Sequence, residues 1–298
     1  MVHLLYPPRA RDKILRLRVL SFQREYACRH SGACCSAGWI EPLEDGVCRH
    51  FGAHPAGSCT IQRALGHDAL PHACQQFPRV ATLSPLGTSV TLSAFCPTAA
   101  SLLYGVEPFE ILQLPDTRVF EGLDARDVMP PLLRPGMLMD WESVARWEEL
   151  TVATLSEHRD DVERAIEIIE QASAHVIAEW TPAAGNLATA LSVAFKRARE
   201  SGVSLATPLK DRRRDRSLAR PHPGGAGDMP DSSARDSAMA RYLASHVFAC
   251  WPMYNGEGIR GALEWLLKAR TALDEERRSA SDLTSAFRQA DLRLRHAV

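Results

Sequence analysis

Seven cysteines crowd residues 28 to 96 of this chain: Cys28, Cys34, Cys35, Cys48, Cys59, Cys74 and Cys96. An eighth, Cys250, stands alone far downstream. A local density of about 10% is the level of a disulfide scaffold or a metal module. The densest stretch, ACRHSGACCSAGW from Ala27 to Trp39, holds three thiols, two of them adjacent. Neighbouring cysteines pair poorly with each other, because a disulfide needs Cα atoms about 4.4–6.8 Å apart. The N-terminal residues, MVHLLYPPRARDKILRLRVL, have no sustained apolar core and no small-residue cleavage site, so no signal peptide is read. The expected compartment is the cytoplasm, where thiols stay reduced and a cysteine cluster points to metal. Gathered thiolates repel one another unless a cation sits among them, and soft sulfur sets select zinc, iron–sulfur clusters or copper(I).

The spacing is Cys28-x5-Cys34-Cys35-x12-Cys48-x10-Cys59-x14-Cys74-x21-Cys96. No C-x-x-C occurs, so zinc ribbons and thioredoxin-like sites lack support, and the usual ferredoxin runs are absent. Cys34 and Cys35 point in different directions and serve different metal ions more naturally than one. That favours a cluster or a dinuclear site over a lone tetrahedral zinc. Seven thiols exceed the four that one cluster takes, so either two centres exist or some thiols only support the ligands. All seven are candidate metal ligands. Of the five histidines in the region, His30, His50, His54, His67 and His72, the ones next to cysteines, His30 and His72, are the better candidates. Trp39 is expected to pack over the site. Arg79 is expected to offset thiolate charge or hold a carboxylate of a bound molecule. Cys250, in the apolar run HVFACW, reads as a small buried hydrophobe.

These residues need elements to position them. Ser58 can cap a short helix over Thr60 to Leu65, stopped by Gly66, and Leu70-Pro71-His72 opens a turn of helix carrying Cys74. RVATLSPLGTSVTLSAFC reads as a hairpin turning at Ser84-Pro85-Leu86-Gly87, with Cys96 at the end of its second strand. Pro97 suits the first turn of the helix that follows. From about residue 140 the apolar spacing is helical: Trp141, Val144, Trp147 and Leu150, then Val162, Ala165, Ile166 and Ile169, and so on to a last helix capped by Asp282. Residues 210–237, rich in Arg, Asp, Gly, Pro and Ser, read as a disordered loop. The expected fold is α+β, mainly α: a Cys-rich metal module of short helices and a hairpin at 20–105, then a helical region at 106–298. With 45% hydrophobic residues the chain can bury a core, and its net charge of −1 argues against a dedicated nucleic-acid or membrane-surface binder. No apolar run approaches the ~18 residues of a membrane helix.

As a set, the motifs resemble the cysteine-cluster family described as zinc- or iron-chelating. Its members share a CC pair followed by Trp, a C-x-I segment, a P-x-x-C-x-x-F/Y-P-R segment and a closing S-x-x-C. Here these are Cys34, Cys35 and Trp39; Cys59 to Ile61; Pro71 to Arg79; and Ser93 with Cys96. The likeness covers about residues 26–105, and the C-x5-CC form is nearest the flagellin lysine-N-methylase branch. It implies an iron–sulfur cluster, of the 4Fe–4S kind rather than zinc, use of S-adenosylmethionine, and a lysine side chain of a partner protein as substrate. IEPLEDGV, between Trp39 and Cys48, is much shorter than the family's usual insertion, and no Gly-rich methyl-donor loop follows a strand. Three function classes follow: an iron–sulfur enzyme acting on a protein side chain, a non-catalytic zinc- or iron-binding module that is structural or handles metal, and a redox or iron sensor.

Overall fold

The computed structural model describes residues 16–29, 31–36, 48–52, 59–115, 120–201 and 232–296. The fold is mixed α+β and mainly helical. Three strands make its centre: β1 (Arg16–Leu20), β2 (Arg79–Ser84) and β3 (Gly87–Leu92). β2 and β3 form the expected antiparallel hairpin, with Ser84 opposite Gly87. Gly87 has a positive φ of 120°, and a side chain there would run into the Arg16 carbonyl of β1, so the turn needs glycine. β1 joins β3 in parallel. β4 (Ile111–Pro115) adds antiparallel to β1, and the short β5 (Leu123–Asp124) adds parallel to β2, giving the order β4-β1-β3-β2-β5. A separate ribbon, β6 (Leu132–Arg134) with β7 (Met137–Leu138), follows. Residues 106–139, expected to open a helical region, therefore carry strands. β4 and β5 pair with strands far away in sequence, which local apolar spacing does not register, whereas β6 and β7 pair with each other.

Six long helices follow among the described residues: α4 (Trp141–Glu157), α5 (Val162–Glu179), α6 (Leu187–Glu200), α7 (Ser232–Val247), α8 (Gly258–Glu276) and α9 (Leu283–His296). Asp140, Asp161 and Asn186 cap the first three, each side chain accepting a backbone N–H three residues on. Asp282 caps α9 as expected, accepting from Ser285 N at 2.9 Å. The polar segment ends earlier than its composition suggests, because α7 starts at Ser232. Residues 232–237 are thus helical, and 210–231 lie outside the described residues. None of the described helices is long and apolar enough to cross a membrane.

The sheet has an unusual division of faces. Leu17, Val19, Ala81 and Val90, with Leu83, Leu112, Leu114 and Phe120, form a small apolar cluster on one side. The other side meets the helices with polar side chains. Arg18 reaches Glu148 of α4 at 2.8 Å and Ser89 at 3.1 Å, and its guanidinium lies 5.5 Å from the centre of the Phe248 ring. Thr82 donates to the Ala249 carbonyl, and Thr91 to Gln23 and the Ser245 carbonyl. Ser93 donates to Asp291 of α9, which also meets Arg295 at 2.9 Å and His246 of α7 at 3.1 Å. The His246 contact is a close approach and not an aligned hydrogen bond. Burial pushes the Asp291 carboxyl up, but the Arg295 charge, helped by the Ser93 hydrogen bond, outweighs it and holds the group below the usual carboxylate range. Burial, helped by Arg295, keeps His246 neutral by lowering its pKa. The main core cluster, which includes Trp147, Phe195, Tyr242, Leu243 and Phe287, also takes in Leu20, Ala94 and Leu103. The Cys-rich region therefore shares its core with the helices.

Two outcomes follow. Glu148→Ala leaves Arg18 buried without its carboxylate and is expected to cost about 3–5 kcal/mol, measured by urea unfolding; a loss under ~1 kcal/mol would mean the pair is not buried as described. His246 is held neutral in the fold but takes a proton in the unfolded chain below about pH 6.5. Stability should therefore fall as pH drops below ~6.5, by up to about 1.4 kcal/mol per pH unit. Asp291 adds a second loss further down, as pH falls below the ordinary carboxylate value toward its own lowered one. In His246→Gln the first stage should flatten, as read from urea midpoints across pH.

Candidate metal centre

Short local elements hold the thiols. Cys28 follows a 3₁₀ turn at Ser21–Gln23, and Cys34 and Cys35 lie in another at Ala33–Ser36. α1 (Thr60–Leu65) starts from Cys59, which takes the cap position expected of Ser58; Ser58 itself lies outside the described residues. Gly66, with a φ of 87°, ends that helix as expected. α2 (His72–Gln76) carries Cys74, and Gln75 pins it by donating to the Leu70 carbonyl at 2.8 Å. Cys96 precedes α3 (Pro97–Ser101), with proline in its first turn. The segment around Cys48 is stitched to the others through backbone. Cys48 N–H donates to the Cys35 carbonyl at 2.7 Å, Phe51 bridges to Cys59, and Thr60 N–H donates to the His50 carbonyl.

The fold brings Cys28, Cys35, Cys59, Cys74 and Cys96 to the wall of one cavity of about 590 Å³. Cys96 and Cys35 are buried, Cys59 and Cys74 half-buried, and Cys28 exposed. Arg79 and Arg63 supply cations to the same wall, and no Asp or Glu lines it among the described residues. The Arg79 guanidinium lies over the Tyr26 ring, 5.2 Å from its centre. The Tyr26 hydroxyl lies 3.6 Å from Cys96 Sγ. Burial, with Cys96 next in weight, pushes the Tyr26 phenol well above its ordinary value. Phe77 packs edge-on against Phe95 beneath the cavity, where Ala33, Leu92, Cys96 and Ala99 share a small core. Five sulfurs around this volume are more donor atoms and more room than one tetrahedral ion takes. Among the described residues no group of three or more His, Cys, Asp or Glu stands ready to hold one metal ion.

Not every candidate joins the wall. His72 turns outward, with Nδ1 2.9 Å from Glu121, while His67 lines the cavity instead. Trp39, His30 and His54 lie outside the described residues, as does the side chain of Cys34. Cys48 stands beside Cys35 through its backbone and is not among the lining residues. Cys250 is in the helical core as expected, 3% exposed, and burial pushes its thiol far up. Tyr26 and Arg63 were missed by sequence reading. The signal for Tyr26 was an aromatic residue two positions before Cys28, and for Arg63 a cation four after Cys59.

Fold and site together describe a mainly helical α+β protein with a thiol-lined cavity at one end of its sheet. Compared with family models, curated proteins and solved structures, the chain matches none.

Exposure separates the thiols by reactivity, and burial that raises the Cys250 thiol pKa adds to the protection of that residue. In native protein kept in chelator, iodoacetamide is expected to modify Cys28 and Cys59 well before Cys250, which should react only on unfolding. Peptide mass spectrometry over time checks this. Early labelling of Cys250 would show that the helical core is open there.

Proposed function

We propose that this chain is an iron–sulfur protein, its cluster held by ligands drawn from Cys28, Cys35, Cys59, Cys74 and Cys96, with Cys34 next to Cys35 in the chain and Cys48 held to Cys35 by a backbone hydrogen bond. One observation carries the reading: five cysteines spread over 69 residues of sequence meet at one cavity that also holds two arginines. Free volume and thiol number fit a polynuclear cluster, of the 4Fe–4S kind, better than a lone zinc. The guanidinium groups offset the negative charge that a thiolate-ligated cluster carries. The reading implies a reducing compartment, the cytoplasm.

The resemblance to the lysine-N-methylase branch extends the proposal to an enzyme that modifies a lysine side chain of a partner protein using S-adenosylmethionine. The geometry favours this in one respect: Arg79 faces the cavity, where a carboxylate of the methyl donor can dock. The alternative is a non-catalytic zinc- or iron-binding module with a structural, metal-handling or redox-sensing role. It is favoured by the engagement of Arg79 with the Tyr26 ring.

Anaerobically purified protein is expected to contain iron and sulfide at near-stoichiometric levels, with a brown chromophore. Cys35→Ser and Cys74→Ser should both abolish it. Protein holding neither iron nor zinc, and refusing reconstitution, would sink the metal reading. Calorimetric titration of the loaded protein with S-adenosylmethionine tests the enzyme. Arg79→Ala should keep the iron and weaken donor binding at least tenfold, about 1.4 kcal/mol. No binding at millimolar donor would leave the non-catalytic alternative.

A further inference from the structure

Tyr26 lines the cavity and meets both a candidate ligand, Cys96, and a lining cation, Arg79. Its N–H donates to the Gln23 carbonyl at 3.2 Å, which sets the chain direction into Cys28. Its ring packs against the small core beneath the cavity. Its hydroxyl stands 3.6 Å from the Cys96 sulfur, and Arg79 covers its face. The sulfur is equally well placed. Cys96 is 3% exposed, its N–H donates to Ser93, and its carbonyl accepts from Ala100 in α3. Two groups seventy residues apart in sequence are thus held in contact by the fold and not by local chain geometry.

We infer that Tyr26 is a positioning residue of the metal centre, donating a hydrogen bond to the Cys96 sulfur when that sulfur is a ligand. The inference rests on the metal-binding reading above and adds a residue to it. The direction of the bond follows from chemistry. A metal-bound thiolate has no proton to give, so it can only accept, whereas a phenol keeps its proton through the neutral range. Hydrogen bonds to ligand sulfurs draw electron density away from the metal, and they are among the groups that set cluster potentials. Arg79 over the ring face adds positive charge from the other side, through a cation–π contact. Tyr26 therefore favours the reduced state of the centre, and its removal favours the oxidised one.

The test is Tyr26→Phe, which deletes one oxygen and keeps the ring, its packing and the Arg79 contact. Iron content and the midpoint potential of the anaerobic, cluster-loaded full chain are measured for wild type and variant. The expected result is equal iron content with a more negative midpoint in Tyr26→Phe. An unchanged midpoint at full iron content overturns the inference and leaves the cluster reading intact. Loss of iron from the variant alone also overturns it, by making Tyr26 a holder of the site and not a modulator. If wild type takes up zinc in place of iron, the cobalt-substituted proteins replace the potential as readout. The sulfur-to-cobalt absorption band should then move to lower energy in the variant, and an unmoved band overturns the inference. If wild type binds neither iron, zinc nor cobalt, the metal reading itself fails, and this inference with it.

Discussion

A buried carboxylate, Asp291, holds the thiol-bearing end of the sheet to the helices. It is 1% exposed and meets Ser93, His246 and Arg295 at once. Ser93 lies three residues before Cys96, and the turn between them is gripped a second time from α9. There Arg288 donates to the Phe95 carbonyl at 3.0 Å and covers the Phe95 ring. An ionised carboxylate in such a place is tolerable only while its partners stay in position, since leaving it unpaired costs several kcal/mol. The placement of Cys96 is therefore tied to the last helix of the chain. The neighbouring Tyr26 and Phe77 rest on the same small core. The cavity wall on that side is an extension of the helical core, whereas the wall made by α1 and α2 is held mostly by short-range backbone contacts.

The polar seam between sheet and helices makes that coupling specific. An apolar interface tolerates sliding and rotation, because hydrophobic contact has no direction. Arg18 with Glu148, Thr82 with Ala249, Gln23 with Ser245 and Thr91, and Ser93 with Asp291 each demand one register. A shift of β3 by one residue would turn Ser89 and Thr91 to the apolar cluster and bring Val90 against Arg18, or against Gln23 and Ser245. The seam thus fixes the strand from which Cys96 emerges.

Much of this was legible in the sequence where the signal is local. The β2–β3 hairpin, the glycine ending α1, the aspartate cap of α9 and the core position of Cys250 all follow from residues within a few positions. β1 and β4 were not legible, because each is defined by partners some seventy to a hundred residues away. Their helix-facing residues, Arg18 above all, read as solvent-exposed until Glu148 is seen beside them. Composition also misled at 232–237, where Ser, Arg and Asp form the start of a helix whose later residues are buried. In the candidate site the gathering of thiols was plain from seven clustered cysteines, five of which line one cavity, but which histidine joins them was not. Proximity to a cysteine favoured His72, yet the direction of α2 points it toward Glu121 and leaves His67 at the cavity.

The charge balance of the cavity bears on what the proposed metal centre would have to supply. Were the five lining thiols all ionised, they would carry five negative charges against the two of Arg63 and Arg79, with no lining carboxylate to add among the described residues. Like charges sharing one site titrate together, each ionisation opposing the next. The arginines answer part of that repulsion but sit on the wall and cannot reach between the sulfurs. On the proposed reading a metal centre can, and each ligating thiol would give up its proton to it on binding. Proton release and metal uptake would then be one event, with the arginines offsetting the negative charge that the ligated centre keeps. Under the same proposal Tyr26, next to Cys96, would adjust that excess through one hydrogen bond without changing the charge count.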